Sequence, residues 1–214
     1  RVEDQATKDK INRDLERLKR ILRQTKDKCG TEIKIEVKFN NISKEDWRNK
    51  IDKDGDGYLD EYTTSYKNPT EEEKALLSNF YEKGHINVYY IKEFDQGGNS
   101  GSGTTGEYVE WPRTETRKGV VVDSDDSGTN TLAHELFHYL GLEHHSDVDN
   151  IMYAYKREAK WKITEDQCRT IVENAKRMFS SSSKLATDLA LPTIIRILCK
   201  NPENFLPYFL FQRY

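Results

Sequence analysis

Cysteine, proline and long apolar runs are all scarce in this chain. Three cysteines in 214 residues are too few for a scaffold in which bridges replace a core. Five prolines and twelve glycines exclude collagen-like and proline-rich extended chains. No apolar run approaches the roughly 20 residues that span a bilayer. Charge of one sign is also missing: 34 basic and 37 acidic residues leave a formal net charge of −3, without the basic field that nucleic acid demands. What is present, 35% hydrophobic and 33% charged residues, suits one sizeable domain, or one domain plus an appendage. The sequence starts at Arg1 and shows no signal sequence, as expected of a processed mature chain or a trimmed one.

Residues 134 to 144 read H-E-L-F-H-Y-L-G-L-E-H. On a helix, His134 and His138 project from one face, one turn apart, a geometry that suits two nitrogen ligands on one zinc ion. Glu135 lies beside them without needing to ligate, where it can take a proton from metal-bound water. Gly141 falls where the helix must end and the chain turn back, a place for a residue that accepts left-handed backbone. His144 then returns as a third nitrogen ligand and leaves the fourth tetrahedral position to water. An isolated H-E-x-x-H arises often by chance; five positions at set spacing do not.

With Met152 eight residues beyond His144, this stretch resembles the signature of the metzincin zinc endopeptidases, with spacing similar to that of the matrix metalloproteinases and the fragilysin-like bacterial enzymes. The resemblance covers roughly residues 85 to 178. It implies zinc held by His134, His138 and His144, Glu135 as general base, and Met152 in a tight turn beneath the metal. It also implies an α+β catalytic domain with a mixed twisted sheet, a backing helix, a zinc-bearing helix and a closing C-terminal helix. The activity implied is hydrolysis of peptide bonds by Glu-assisted attack of zinc-bound water, on protein or peptide substrates, in a secreted, extracellular setting. Substrate would lie along an edge strand at Gly106, Glu107, Tyr108 and Val109, with Tyr153 and Tyr155 walling the pocket after the scissile bond. Two positions depart from the commoner patterns. His145 matches no usual subfamily residue, and Ala154 stands where astacin-like enzymes carry a tyrosine ligand. The alternative reading is a latent or non-catalytic zinc module that acts by binding protein. Such relatives typically lose the glutamate, which is present here. In metzincins the first strand and last helix approach each other, so Cys29 and Cys168 are expected either to pair or to remain, with Cys199, as thiols.

Along the chain, Ile11, Leu15, Leu18 and Leu22 draw an apolar stripe on a charged helix over residues 2 to 27. That stripe packs on its own domain or, as the alternative, marks a coiled-coil partner or a propeptide remnant. Alternation predicts a strand from Glu32 to Phe39, a helix from about Thr70 to Lys83 ended by Gly84, strands at 85–94, 106–111 and 119–122, caps at 127–131, and a helix from about Thr164. The segment between the first strand and Thr70 reads as irregular, and 96–106 as a flexible loop. The serine run at 180–183 marks a boundary, giving an N-terminal helix (1–28), a peptidase domain (29–179) and an apolar tail (180–214). The tail packs on the domain or on the first helix, or contacts a membrane or partner.

Residues 52 to 60, D-K-D-G-D-G-Y-L-D, follow the start of an EF-hand calcium loop. Asp52, Asp54, Asp56 and Asp60 are candidate side-chain ligands, Tyr58 a carbonyl ligand, and Glu61 a further acid. Position 12 is Thr63 rather than the usual glutamate. Calcium or a solvated acidic turn are the two readings.

Overall fold

The computed structural model describes residues 2–61, 67–95, 106–111, 116–124, 130–154, 161–179 and 193–201. Residues 96–105 of the expected flexible loop, the caps at 127–129, Thr63, Tyr155 and the serine run lie outside the described residues; Gly106, the last of that expected loop, begins a strand.

Helix α1 (Val2–Cys29) buries the predicted stripe. Ile11, Leu15, Leu18 and Leu22, joined by Ile21, pack into the main core, and the helix lies against the helices Thr131–Tyr139 and Glu165–Phe179 and the strand Ile33–Asn41. The stripe is therefore covered by the domain itself. Strand β1 (Ile33–Asn41) follows. The irregular segment after it contains a helix, α2 (Lys44–Lys50), capped by Ser43, whose side chain accepts the Asp46 N–H. Seven residues with Trp47 as the buried one are too few to show a period, which is why the sequence pattern missed it.

Helix α3 (Glu71–Phe80) starts at a capping box: the Thr70 side chain accepts the Glu73 N–H while Glu73 accepts the Thr70 N–H. It ends at Phe80, before the expected Gly84. Short strands β2 (Leu59–Asp60) and β4 (Phe94–Asp95) pair in parallel as a small second sheet. The main sheet holds β3 (Ile86–Ile91), β5 (Gly106–Trp111), β6 (Arg117–Asp123) and β7 (Thr193–Asn201), in the order β1-β7-β3-β6-β5. All neighbours are parallel except β5 and β6, which are close in sequence and so pair antiparallel.

Two cores sit on the two faces of the sheet. On one, α1, α4 (Thr131–Tyr139) and α5 (Glu165–Phe179) cover Val88, Tyr90, Val120, Val122, Ile195 and Ile197. On the other, Trp47, Ile51, Leu59, Leu76 and Leu77 cover Tyr89, Ile91, Val109 and Val121. Burial on both faces explains why β3 reads as an unbroken apolar run, every residue buried, rather than as an alternation. The mixed sheet and its helices agree with the α+β expectation.

The expected N-terminal helix, domain and tail contribute to the same described fold. The N-terminal helix shares the main core, and Cys29 is bridged to Cys168 of α5 with Cα atoms 6.3 Å apart. Within the tail, residues 193–201 form β7, hydrogen-bonded between β1 and β3. Cys199 is the free, buried thiol. A serine run marks a change of local composition; it does not reveal where the chain goes next.

Candidate metal centre

Helix α4 turns Leu132, Ala133, Leu136 and Phe137 into the core, which leaves His134, Glu135 and His138 on the opposite, partly open face. The helix ends as Gly141 demands. Its φ is 88°, the Gly141 N–H donates to the His138 carbonyl at 2.9 Å, and the Leu142 N–H reaches back to Phe137 at 2.9 Å, a Schellman closure. A Cβ at Gly141 would also lie 2.8 Å from Asn174 Nδ2, which donates to the Leu140 carbonyl from α5. Two constraints thus select glycine here.

The three predicted histidines converge. His134, His138 and His144 each offer a nitrogen, all within 4.8 Å of one another. His134 Nδ1–H donates to the Ile151 carbonyl at 2.7 Å, and His138 Nδ1–H to the Leu142 carbonyl at 2.7 Å. These bonds set the tautomer: both Nε2 atoms carry lone pairs and face each other at 3.1 Å. Two lone pairs so close repel unless a cation lies between them. In a tetrahedron with 2.0–2.1 Å bonds, ligands stand about 3.3 Å apart, so the donor set fits zinc. Burial also holds the His138 imidazole neutral, with its pKa below the usual value. His145 takes no part in the group: its Nδ1 accepts the Asp147 N–H and its own N–H donates to the Met152 carbonyl.

Met152 is fully buried in the main core, in a turn closed by the Tyr153 N–H to the Asn150 carbonyl at 3.1 Å. Sequence reasoning missed what clamps that turn. Asn150 and Gln167 exchange two side-chain bonds, at 2.9 and 3.1 Å, and Asn150 Oδ1 also accepts the Met152 N–H at 2.9 Å. Gln167 forms a reciprocal cap with Thr164 at the start of α5. That T-x-x-Q pattern is readable from sequence as a helix start; its second use is not.

A family model for the matrixins matches residues 2–174. The chain belongs to the matrixin family. It is also similar to a protein named "Matrix metalloproteinase-A" from Caenorhabditis elegans, at 46% identity over 41 residues, a stretch that spans 17% of this chain and 8% of that relative. No solved structure matches. The matrixin match stops short of β7, so one of the inner strands of the sheet lies beyond it.

In this matrixin, Glu135 is gripped by β5. The Tyr108 N–H donates to its carboxylate, while burial pushes its pKa up to about 8. Gly106 passes so close that a Cβ there would lie 2.4 Å from Thr131 Cγ2 and 3.1 Å from Glu135 Cγ. Of the predicted substrate residues, Tyr108 packs edge-on to Tyr139 at 5.8 Å and donates to Glu110. Val109 is core, and Glu107 turns to the same face as Val109, toward α3. These side chains are engaged inside the domain, and β5 is the last strand of the sheet. Tyr153 follows the turn and is partly exposed.

The acidic loop is completed by a residue the sequence pattern could not supply. Asp52 and Asp54 group with Glu72 of α3, and Asp54 and Asp60 with Asp95 of β4. Glu72 accepts the Lys53 N–H at 2.5 Å and the Asp60 N–H at 2.9 Å, and burial raises its pKa to about 7. Asp56 falls in neither group; its carboxylate accepts the Tyr58 N–H at 2.8 Å. Glu61 is likewise outside them, its N–H bonded to the Asp95 carbonyl.

Proposed function

We propose that this chain is a zinc-dependent endopeptidase that hydrolyses peptide bonds in protein or peptide substrates outside the cell. The observation that carries it is the convergence of three histidine nitrogens, two with their tautomers set, beside a carboxylate on the same helix face. Family membership supports the zinc and the peptidase class. Zinc, when bound by His134, His138 and His144, supplies a Lewis acid that acidifies water and polarises a carbonyl.

The residues of the chain supply the rest. Glu135, oriented by the Tyr108 N–H, takes a proton on its carboxylate as water adds to the scissile carbonyl, then delivers it to the leaving amine. The outer edge of β5 pairs with an extended substrate. Met152 and the clamped turn present the Ile151 carbonyl to His134 and so hold the ring's orientation. Tyr153, which follows the turn, walls the pocket after the scissile bond. No helix among the described residues is long and apolar enough to cross a membrane.

The same reading extends to the acidic loop as a calcium site, in which Glu72 replaces the missing position-12 acid beside Asp52 and Asp54, while Asp60 groups with Asp54 and Asp95. It would brace the segment ahead of α3 and do no chemistry.

The test is cleavage of a peptide library by zinc-replete protein beside Glu135→Ala. Wild type should cleave, and the variant should retain zinc and its melting temperature yet lose cleavage. Activity in the variant above a small fraction of wild type, or none in wild type, removes the assignment.

A further inference from the structure

A cavity of about 360 Å³ opens between the end of β1, the end of α3 and β7, within the size range of small-molecule sites. Asn40 and Asn41 of β1, Asn79 and Phe80 of α3, Glu82 and Lys200 of β7 line it. None of them belongs to the histidine cluster or to the acidic loop. Lys200 is the unusual member, a lysine only 5% exposed. It stands in register with Asn40 of β1 and Tyr89 of β3, and side chains at paired positions share a face of the sheet.

The ammonium of Lys200 is buried without an opposite charge in contact. It donates to Asn87 Oδ1 at 3.2 Å and lies 5.3 Å from the centre of the Tyr89 ring. Asn87 Oδ1 is a neutral acceptor already shared with the Glu82 N–H at 2.9 Å. The Glu82 carboxylate is taken by Lys38, at 3.0 and 3.1 Å, and no carboxylate among the described residues is paired with Lys200. An ammonium has three donors, and Asn87 accepts one. Buried charges are ordinarily paired, so this cation lacks a partner.

We propose that the cavity binds a small organic carboxylate, whose oxygens accept from Lys200 and whose body lies against Phe80 and the asparagine amides. The charge count selects the class. Lys38 and Glu82 answer each other, which leaves the single positive charge of Lys200. A monoanion neutralises it, whereas a dianion such as phosphate carries a second charge toward Glu82. The matrixin match ends before β7, so the site rests on a strand that the match does not include. It stands whether or not the chain cleaves peptides.

Burial lowers the Lys200 pKa to about 8, opposed by Glu82 and helped by Lys38. Of the other groups around it, Glu82 is held ionised by Lys38, and burial keeps the Tyr89 hydroxyl neutral. His85 approaches through Glu82, at 3.4 Å, and Tyr81 lines the cavity beside it. Only the ammonium attracts an anion, so binding should weaken as pH rises past about 8.

The test melts the full chain, zinc-replete, at about pH 7 and about pH 10, beside Lys200→Met. The probes are benzoate, a free acid, and N-acetylglycine, which mimics a chain terminus, with phosphate and chloride at matched ionic strength. At pH 7, benzoate or N-acetylglycine at ten times its dissociation constant should raise wild-type melting by roughly 3–6 °C. The tighter of the two names the source, and either supports the site. Lys200→Met should lack the rise, and in wild type it should fade at pH 10. Without ligand the variant should melt no lower than wild type, because an apolar chain replaces an unpaired buried charge. Equal rises in both proteins overturn the proposal, since the carboxylate would then sit elsewhere, as on the zinc. So do no rise in wild type, a Lys200-dependent rise as large with phosphate, and a variant that fails to fold.

Discussion

Ending the chain at Ser180 removes β7 from between β1 and β3. Ile195, Ile197 and Leu198 of that strand are 0% exposed, and burying each is worth about 1.5–3 kcal/mol, roughly 5–9 kcal/mol together. The loss is larger than that, because β1 pairs along Ile33–Asn41 with β7 and with no other strand of the main sheet. A domain has about 5–15 kcal/mol of stability in all, so the truncated chain should show no cooperative thermal transition by circular dichroism and no stoichiometric zinc. A milder variant keeps the question quantitative. Ile197→Ala should cost about 2–5 kcal/mol and lower the melting temperature by roughly 5–15 °C. A chain of residues 1–180 that melts cooperatively within a few degrees of the full chain would refute the reasoning, and would show that the matrixin-matched region closes its sheet without this strand.

Met152→Leu nearly conserves volume and should cost under about 1.5 kcal/mol while keeping zinc and most cleavage; loss of zinc on metal analysis would give Met152 another role. Replacing Cys29 and Cys168 by serine frees a loop with a sequence separation of 139 and should lower unfolding free energy by up to about 5 kcal/mol in urea titrations; an unchanged midpoint would argue that the bridge does not form. Asn150→Ala leaves the buried Gln167 amide without its partner and should cost about 1–3 kcal/mol, read as a lower melting temperature with the disulfide intact. For the acidic loop, calcium at tenfold to hundredfold excess over its dissociation constant should stabilise zinc-replete protein by about 1.4–2.7 kcal/mol, a rise of about 3–10 °C. Glu72→Gln should abolish that rise, and no shift in wild type makes the loop an acidic turn.

The grouping of His134, His138 and His144 and the turn at Gly141 were legible in the sequence because they depend on local geometry. A helix places i and i+4 on one face wherever it lies, and a glycine at its end permits the return. The same holds for α1, whose stripe is a local period, and for Thr70, whose cap is completed three residues later. What only the tertiary structure decided are the contacts between segments with no common period. Glu72 reaches the acidic loop from a later helix, and Asn150 finds Gln167 across the turn. The position of β7 belongs to the same class. Its apolar residues announce burial, but which two strands receive it depends on sheet order, and sheet order is a property of the assembled core.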